Sequence, residues 1–218
     1  MKATILRELE SIEQLAGRIG TAISIFGSAR IKPGHEMFKL THQIASGLSR
    51  EGYTVISGGG PGVMRAANQG ARTGKTHTIG FNVALPFEPT DFQFQDISLV
   101  FENFFTRKLA FCKCSSAFIA MPGGMGTLDE LFEILTLKQT GKIAPFPVVL
   151  IGSKFWGGLV DWMRANLEAA GLVSAGELNE IEILDDADSI VNYLKRRVPI
   201  PDAPIAPFCL DRTGHTTV

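Results

Sequence analysis

Twice in this chain an apolar, β-rich run breaks into a cluster of glycines and passes directly into a helical pattern. TVIS (54–57) runs into Gly58-Gly59-Gly60-Pro61-Gly62, and SAFIAMP (116–122) runs into Gly123-Gly124-Met125-Gly126-Thr127. A run of four to eight apolar residues without polar alternation suits a strand buried on both faces, which is the situation in a parallel sheet covered by helices. A glycine corner followed at once by a helix is how such a sheet turns from strand to crossover helix. This join constrains the chain more than any other feature.

The remaining pattern agrees with that architecture. A helix is predicted over 4–19, a strand over 21–28, a helix over 35–50 stopping at Gly52, the strand 54–57, a short helix in VMRAANQGARTG and a strand over 77–83. LPFEPTDFQFQD (85–96) reads as a loop, ISLVF (97–101) as a strand, FENFFTRKLAFCKC as a helix, 116–122 as a strand and LDELFEILTLKQT as a helix closed by Gly141. FPVVLIG (146–152), a helix over 155–170, EIEILD (180–185) and a helix over 186–197 complete it. The expectation is an α/β fold of Rossmann-like type, one domain over 1–198, with a mostly parallel sheet and helices on both faces. Residues 199–218, with four prolines before a polar end, are expected to be an extended tail.

Composition narrows the function classes. A formal net charge of −1 offers no basic excess for nucleic acid or an anionic membrane. Cys112, Cys114 and Cys209 contain no C-x-x-C and make no disulfide framework, and the four histidines lack the spacing of a helical metal site. The reading therefore includes no metal, no cofactor, no nucleic-acid partner and no membrane. Glu8, Glu10 and Glu13 interrupt the apolar positions of the first twenty residues, unlike a signal peptide, so a cytoplasmic protein is expected.

In open parallel sheets, ligands sit beyond the carboxyl ends of the strands, where both glycine corners fall. Backbone N–H groups at a glycine-rich helix start, helped by the helix dipole, favour an anion such as phosphate. Thr127 adds a hydroxyl donor. Neither corner fits G-x-G-x-x-G, because Val63 and Asp129 stand where the last glycine should be, and this disfavours a standard dinucleotide site. Gly70-Ala71-Arg72-Thr73-Gly74-Lys75-Thr76 imitates a P-loop, but it has one residue too few between its glycines and follows a helix; it reads as a helix end and turn.

Three charged residues lie close to these corners. Glu130 follows Thr127 at the spacing of a capping box, so its carboxylate suits either a helix cap or a ligand-facing acid. Arg107 and Lys108 sit on the helix before the second corner's strand. On a helical wheel Phe101, Phe104, Phe105, Leu109, Phe111 and Cys112 form an apolar arc, with Lys108 inside it and Arg107 on its flank. A lysine so placed either snorkels to water or meets a bound anion.

Taken together, FGSAR (26–30), SGGGPGVM (57–64), T-R-K (106–108) and PGGMGTLDE (122–130) resemble the LOG (Lonely Guy) family, also labelled lysine decarboxylase-like proteins. The last motif matches P-G-G-x-G-T-x-x-E throughout, and the similarity covers roughly residues 20–195. The resemblance implies a homodimer or larger homo-oligomer that releases the base from cytokinin riboside 5′-monophosphates or AMP, leaving ribose 5-phosphate. It implies Arg107 and Glu130 as the catalytic pair. Gly58, Gly59, Gly60 and Met64 of the first corner, and Gly123, Gly124, Met125, Gly126 and Thr127 of the second, would bind the phosphoribosyl part. Ser28 and Lys108 would be further pocket residues. The plant-type pattern M-H-x-R-K is replaced here by Phe104-Phe105 before T-R-K, and LPFE (85–88) is more like the family's second subtype. The decarboxylase label has no counterpart in these residues, which show no way to present a pyridoxal phosphate lysine. The rival expectation is a noncatalytic nucleotide or molybdenum-cofactor carrier built on similar glycine loops.

Overall fold

A computed structural model describes residues 1–84 and 92–201. In chain order the elements are α1 (Lys2–Ala16), β1 (Ala22–Phe26), α2 (Glu36–Arg50), β2 (Thr54–Ser57), α3 (Val63–Ala71), β3 (Thr78–Val83) and β4 (Ile97–Phe101). There follow α4 (Phe104–Cys114), β5 (Ala117–Ala120), α5 (Met125–Gln139), β6 (Val148–Ile151), α6 (Ser153–Met163), β7 (Ile181–Leu184) and α7 (Ala187–Arg197). The seven strands form one sheet in the order β4-β3-β2-β1-β5-β6-β7, and every neighbouring pair is parallel.

The unbroken apolar runs are explained by this sheet, since β1, β2, β5 and β6 are buried along their whole length. Successive residues serve opposite faces. Phe118 and Ala120 join a core with Ile12 of α1, Phe111 of α4, Leu131 of α5 and Trp156 of α6. Ala117 and Ile119 join a second core with Ile44 and Leu48 of α2, Ala67 of α3 and Ile190 of α7. The chain winds outward from β1 through β4, returns to β5 on β1's other side and winds out again. Strand order thus reverses between β1 and β5, opening a crevice at their carboxyl ends.

The P-loop imitation is accounted for by packing. Gly70 lies in α3, where a Cβ would come within 2.2 Å of the His42 carbonyl oxygen, so glycine lets α2 and α3 touch. Thr73 and Thr76 beyond it bond to Ser46 and Ser49 of α2 at 2.7 and 2.8 Å. The turn holds helices together.

Several boundaries differ from expectation. The first helix ends at Ala16, and the helix expected over 155–170 is α6 followed by a π-turn at Arg164–Glu168. The helix expected from Leu128 starts at Met125, which changes the role of Glu130. The apolar arc of α4 is its buried face only in part. Thr106, Ala110, Phe111 and Cys114 face inward, whereas Phe104, Phe105 and Leu109 are exposed. The LPFE stretch, and the tail from residue 202 onward, lie outside the described residues. Among the described residues no helix is long and apolar enough to cross a membrane.

Candidate functional site

Three strand ends are fastened together at the crevice. The Met121 amide donates to the Phe26 carbonyl (2.8 Å), that of Ser28 to the Pro122 carbonyl (3.1 Å) and that of Val63 to the Ser28 carbonyl (3.0 Å). The corners after β1, β2 and β5 therefore form one rim. They enclose a cavity of about 630 Å³, within the range of pockets that hold small ligands.

The first corner is held from below. Gly59 has φ +73°, and a Cβ there would lie 1.8 Å from the Asn82 Oδ1, so the position admits only glycine. Its carbonyl accepts from the buried Gln95 Nε2 at 2.9 Å, and its amide donates to Ser57 Oγ at 3.1 Å. Ser57 Oγ in turn donates to Asn68 Oδ1, and Asn82 Nδ2 donates to Gln95 Oε1 at 2.9 Å. Buried amides bonded to one another and to the loop fix its backbone. Gly58, Gly59, Gly60 and Met64 all line the cavity. At the start of α3 the Val63 amide already serves the Ser28 carbonyl, so that donor is taken.

The second corner is open. Gly124 is the N-cap of α5 and no side chain caps the helix. The first helical bond recorded there runs from the Leu128 amide to the Gly124 carbonyl at 3.0 Å. The amides of Met125, Gly126 and Thr127 belong to the first turn and have no carbonyl inside the helix to serve. A Cβ on Gly124 or Gly126 would meet nothing within 4 Å. Gly124, Met125, Gly126 and Thr127 line the cavity, as does Ser28 across the rim. Gly123 does not. It packs beneath the turn, where a Cβ would stand 2.1 Å from Thr127 Oγ1.

Glu130 is resolved by the position of the helix start. With Gly124 at the N-cap, Thr127 is already inside α5 and Glu130 lies in its second turn, so the capping box does not form. The carboxyl lines the cavity and is only 8% exposed. Burial raises its pKa from 4.5 to about 7, against the lowering pull of Arg107 and then Lys108. It is therefore an acid able to hold or release a proton near neutrality.

Arg107 reaches the same cavity from α4. Its Nε donates to the Phe81 carbonyl at 2.7 Å and its Nη2 to the Gly58 carbonyl at 3.4 Å, with the guanidinium 5.5 Å from the Phe111 ring centre. Gly58 leaves room for it, since a Cβ would fall 2.4 Å from Nη2. Lys108 is different. It lies outside the lining and pairs with Asp129 (2.8 Å) and Glu133 (3.0 Å) of α5, so it binds α4 to α5 and neither snorkels freely nor faces the cavity. Burial lowers its pKa, but the hydrogen bonds and charges of these two acids raise it more.

Sequence reading missed Asn82, Arg30, Val83, Phe104 and Asp129 as lining residues, and Gln95 beneath them. A polar Asn82 inside an otherwise apolar strand was a visible signal. Gln95 carried none, because it lies in a stretch without periodicity.

The sequence pattern of the family described as "Possible lysine decarboxylase" matches residues 64–194. Cytokinin riboside 5′-monophosphate phosphoribohydrolase LOG3 of Arabidopsis thaliana is 30% identical over 78% of this chain and 80% of its own. The Mycobacterium marinum cytokinin riboside 5′-monophosphate phosphoribohydrolase is 29% identical over 72% and 84%. Among solved structures, the molybdenum cofactor binding protein of Rippkaea orientalis superposes with a TM-score of 0.61 at 23% identity, covering 81% of this chain and 96% of that one. At that identity the likeness concerns the fold alone. The matched family pattern and these relatives, with the two glycine corners meeting at one cavity, show that this chain belongs to the LOG family.

Proposed function

We propose that the protein hydrolyses the N-glycosidic bond of nucleoside 5′-monophosphates, AMP or a cytokinin riboside 5′-monophosphate, giving the free base and ribose 5-phosphate. The observation that carries this reading is Glu130, a buried carboxyl titrating near neutrality in the same cavity as the uncapped start of α5.

In this reading the 5′-phosphate sits on the amides of Met125, Gly126 and Thr127, where backbone N–H groups and the helix dipole favour negative charge. The sugar then extends toward Glu130. As the bond from the anomeric carbon to the base nitrogen lengthens, its electron pair leaves with the base and positive charge builds on the ring. Ionised Glu130 stabilises that charge and accepts a proton from the attacking water, whose oxygen bonds to the anomeric carbon. Arg107 is the cation beside it, orienting the phosphoribosyl group or the departing base. The base leaves neutral by taking up a proton equivalent to the one Glu130 accepted from water, exchanged through solvent, which returns Glu130 to its ionised form. No cofactor enters this scheme.

The test is incubation with AMP and with its N6-isopentenyl derivative, followed by chromatography for free base and ribose 5-phosphate. Release by the wild type, with none from Glu130→Gln or Arg107→Ala, is expected. Full activity in both variants would refute the assignment. The fold shared with a molybdenum cofactor binding protein supports a second reading, a noncatalytic carrier. That reading expects nucleotide or cofactor binding with no base released. The exposed Phe104, Phe105 and Leu109 of α4 support self-association into a homo-oligomer, which light scattering would measure.

A further inference from the structure

The α1 helix holds a buried carboxylate that the scheme above does not use. Glu8 is 6% exposed, although it lies on the first helix of the chain, far in sequence from every cavity residue. Its Oε1 accepts from the Glu102 amide at 2.7 Å, and its Oε2 accepts from Asn103 Nδ2 at 3.2 Å and Thr106 Oγ1 at 2.5 Å. These donors all belong to the turn that begins α4. Asn103, the N-cap, makes no side-chain cap bond to its own helix. Its amide goes to Glu8 instead, and Glu8 supplies the negative charge that a helix start favours.

Arg107 is the next residue on that turn. Its amide donates to the Asn103 carbonyl at 3.3 Å, beside the Thr106 hydroxyl that donates to Glu8. The residue that Glu8 grips by its side chain therefore also anchors the backbone of Arg107. From there the guanidinium spans to the Phe81 and Gly58 carbonyls, at the ends of β3 and β2. A shift of α4 by a fraction of a turn would break both contacts, because a side chain stretched between two fixed oxygens has little slack.

We infer that Glu8 is a positioning residue for Arg107, setting the placement of the cavity's guanidinium from the opposite side of α4. The inference rests on the proposed function only for its consequence in turnover. The positioning itself has a separate readout.

That readout is the exchange of the Arg107 Nε–H with water, followed by nitrogen-15 NMR and assigned by the loss of its signal in Arg107→Lys. In the wild type this proton is protected by the Phe81 carbonyl. Protection is expected to vanish in Glu8→Ala, to weaken in Glu8→Gln, and to persist in Ile12→Ala, which removes buried apolar bulk from α1 but none of the Glu8 hydrogen bonds. Glu8→Gln keeps the question decidable if the alanine variant does not fold, since it retains one acceptor for the Glu102 amide. Protection unchanged by both Glu8 variants, or lost equally in Ile12→Ala, overturns the inference. For turnover, Glu8→Ala is expected to lower kcat by about tenfold or more, as displacement of a catalytic group does. The Glu8→Ala, Arg107→Lys double variant should then be no worse than Arg107→Lys alone, which keeps a cation and measurable turnover, because the two act through one group. Additive losses would overturn the inference. If the wild type releases no base at all, the hydrolase reading fails while the exchange measurement still decides the positioning.

Discussion

Replacing Glu130 by glutamine should make the protein more stable at alkaline pH while abolishing turnover. The folded-state pKa of about 7 stands above the ordinary 4.5 because burial disfavours the charged form. The sign follows from proton uptake. The folded state binds a proton that the unfolded chain has released, so Glu130 supports the fold fully below pH 4.5 and loses that support as pH rises through 7. At one unit per 1.36 kcal/mol, the wild type at pH 8 carries a cost of about 3 kcal/mol for ionising a desolvated carboxylate. Glutamine has nearly the same shape and no charge, so Glu130→Gln removes that cost. For a domain of this size this corresponds to roughly 6–12 °C in Tm. Thermal unfolding followed by circular dichroism at pH 5 and pH 8 measures it. The two proteins should melt close together at pH 5 and separate at pH 8, with most of the gap opening between pH 4.5 and 7. Base release by the wild type should rise with a midpoint near pH 7, where the folded-state carboxylate forms. Equal melting points at pH 8 would refute the reasoning, because they would mean that Glu130 ionises in contact with water.

Two further substitutions probe the surroundings of this acid. Lys108→Met removes a charge that lowers the Glu130 pKa and frees Asp129 and Glu133, which raise it. The pH–activity curve should therefore move to higher pH, with stability falling by under about 1 kcal/mol because the partner acids remain partly solvated; an unmoved curve would count against the coupling. Gly126→Ala places a methyl where nothing lies within 4 Å and exchanges glycine for the best helix former, so Tm should hold or rise. The same methyl enters the proposed phosphate cradle and should weaken AMP binding by about tenfold or more in calorimetry, whereas unchanged affinity would move the phosphate elsewhere.

Much of the fold was legible because its cues are local. Unbroken apolar runs, glycine corners and helical periodicity each involve residues close in sequence, and they specified a parallel sheet with helices on both faces. The site was legible to the same depth. Ser28, Gly58, Gly59, Gly60, Met64, Arg107 and Glu130 were named, and all of them line the cavity, as do Gly124, Met125, Gly126 and Thr127. Lys108 and Gly123 were expected beside them from the family resemblance, yet one points to the acids of α5 and the other lies under the turn. Adjacent helical residues face different directions, and only the neighbouring layers decide which direction meets the ligand.

What the amino-acid sequence determined on its own was the class of fold, the two glycine corners at strand ends, and the short list of charged groups near them. Where α5 begins, and hence whether Glu130 caps a helix or faces a cavity, was decided by tertiary structure. So was the burial of Thr106 while Phe104 and Phe105 stay exposed, and the grip of Glu8 on a turn more than ninety residues away. The physical reason is common to all of these. Burial and hydrogen-bond partnership across layers depend on which distant surfaces come to share a space, and no periodicity within one element encodes that.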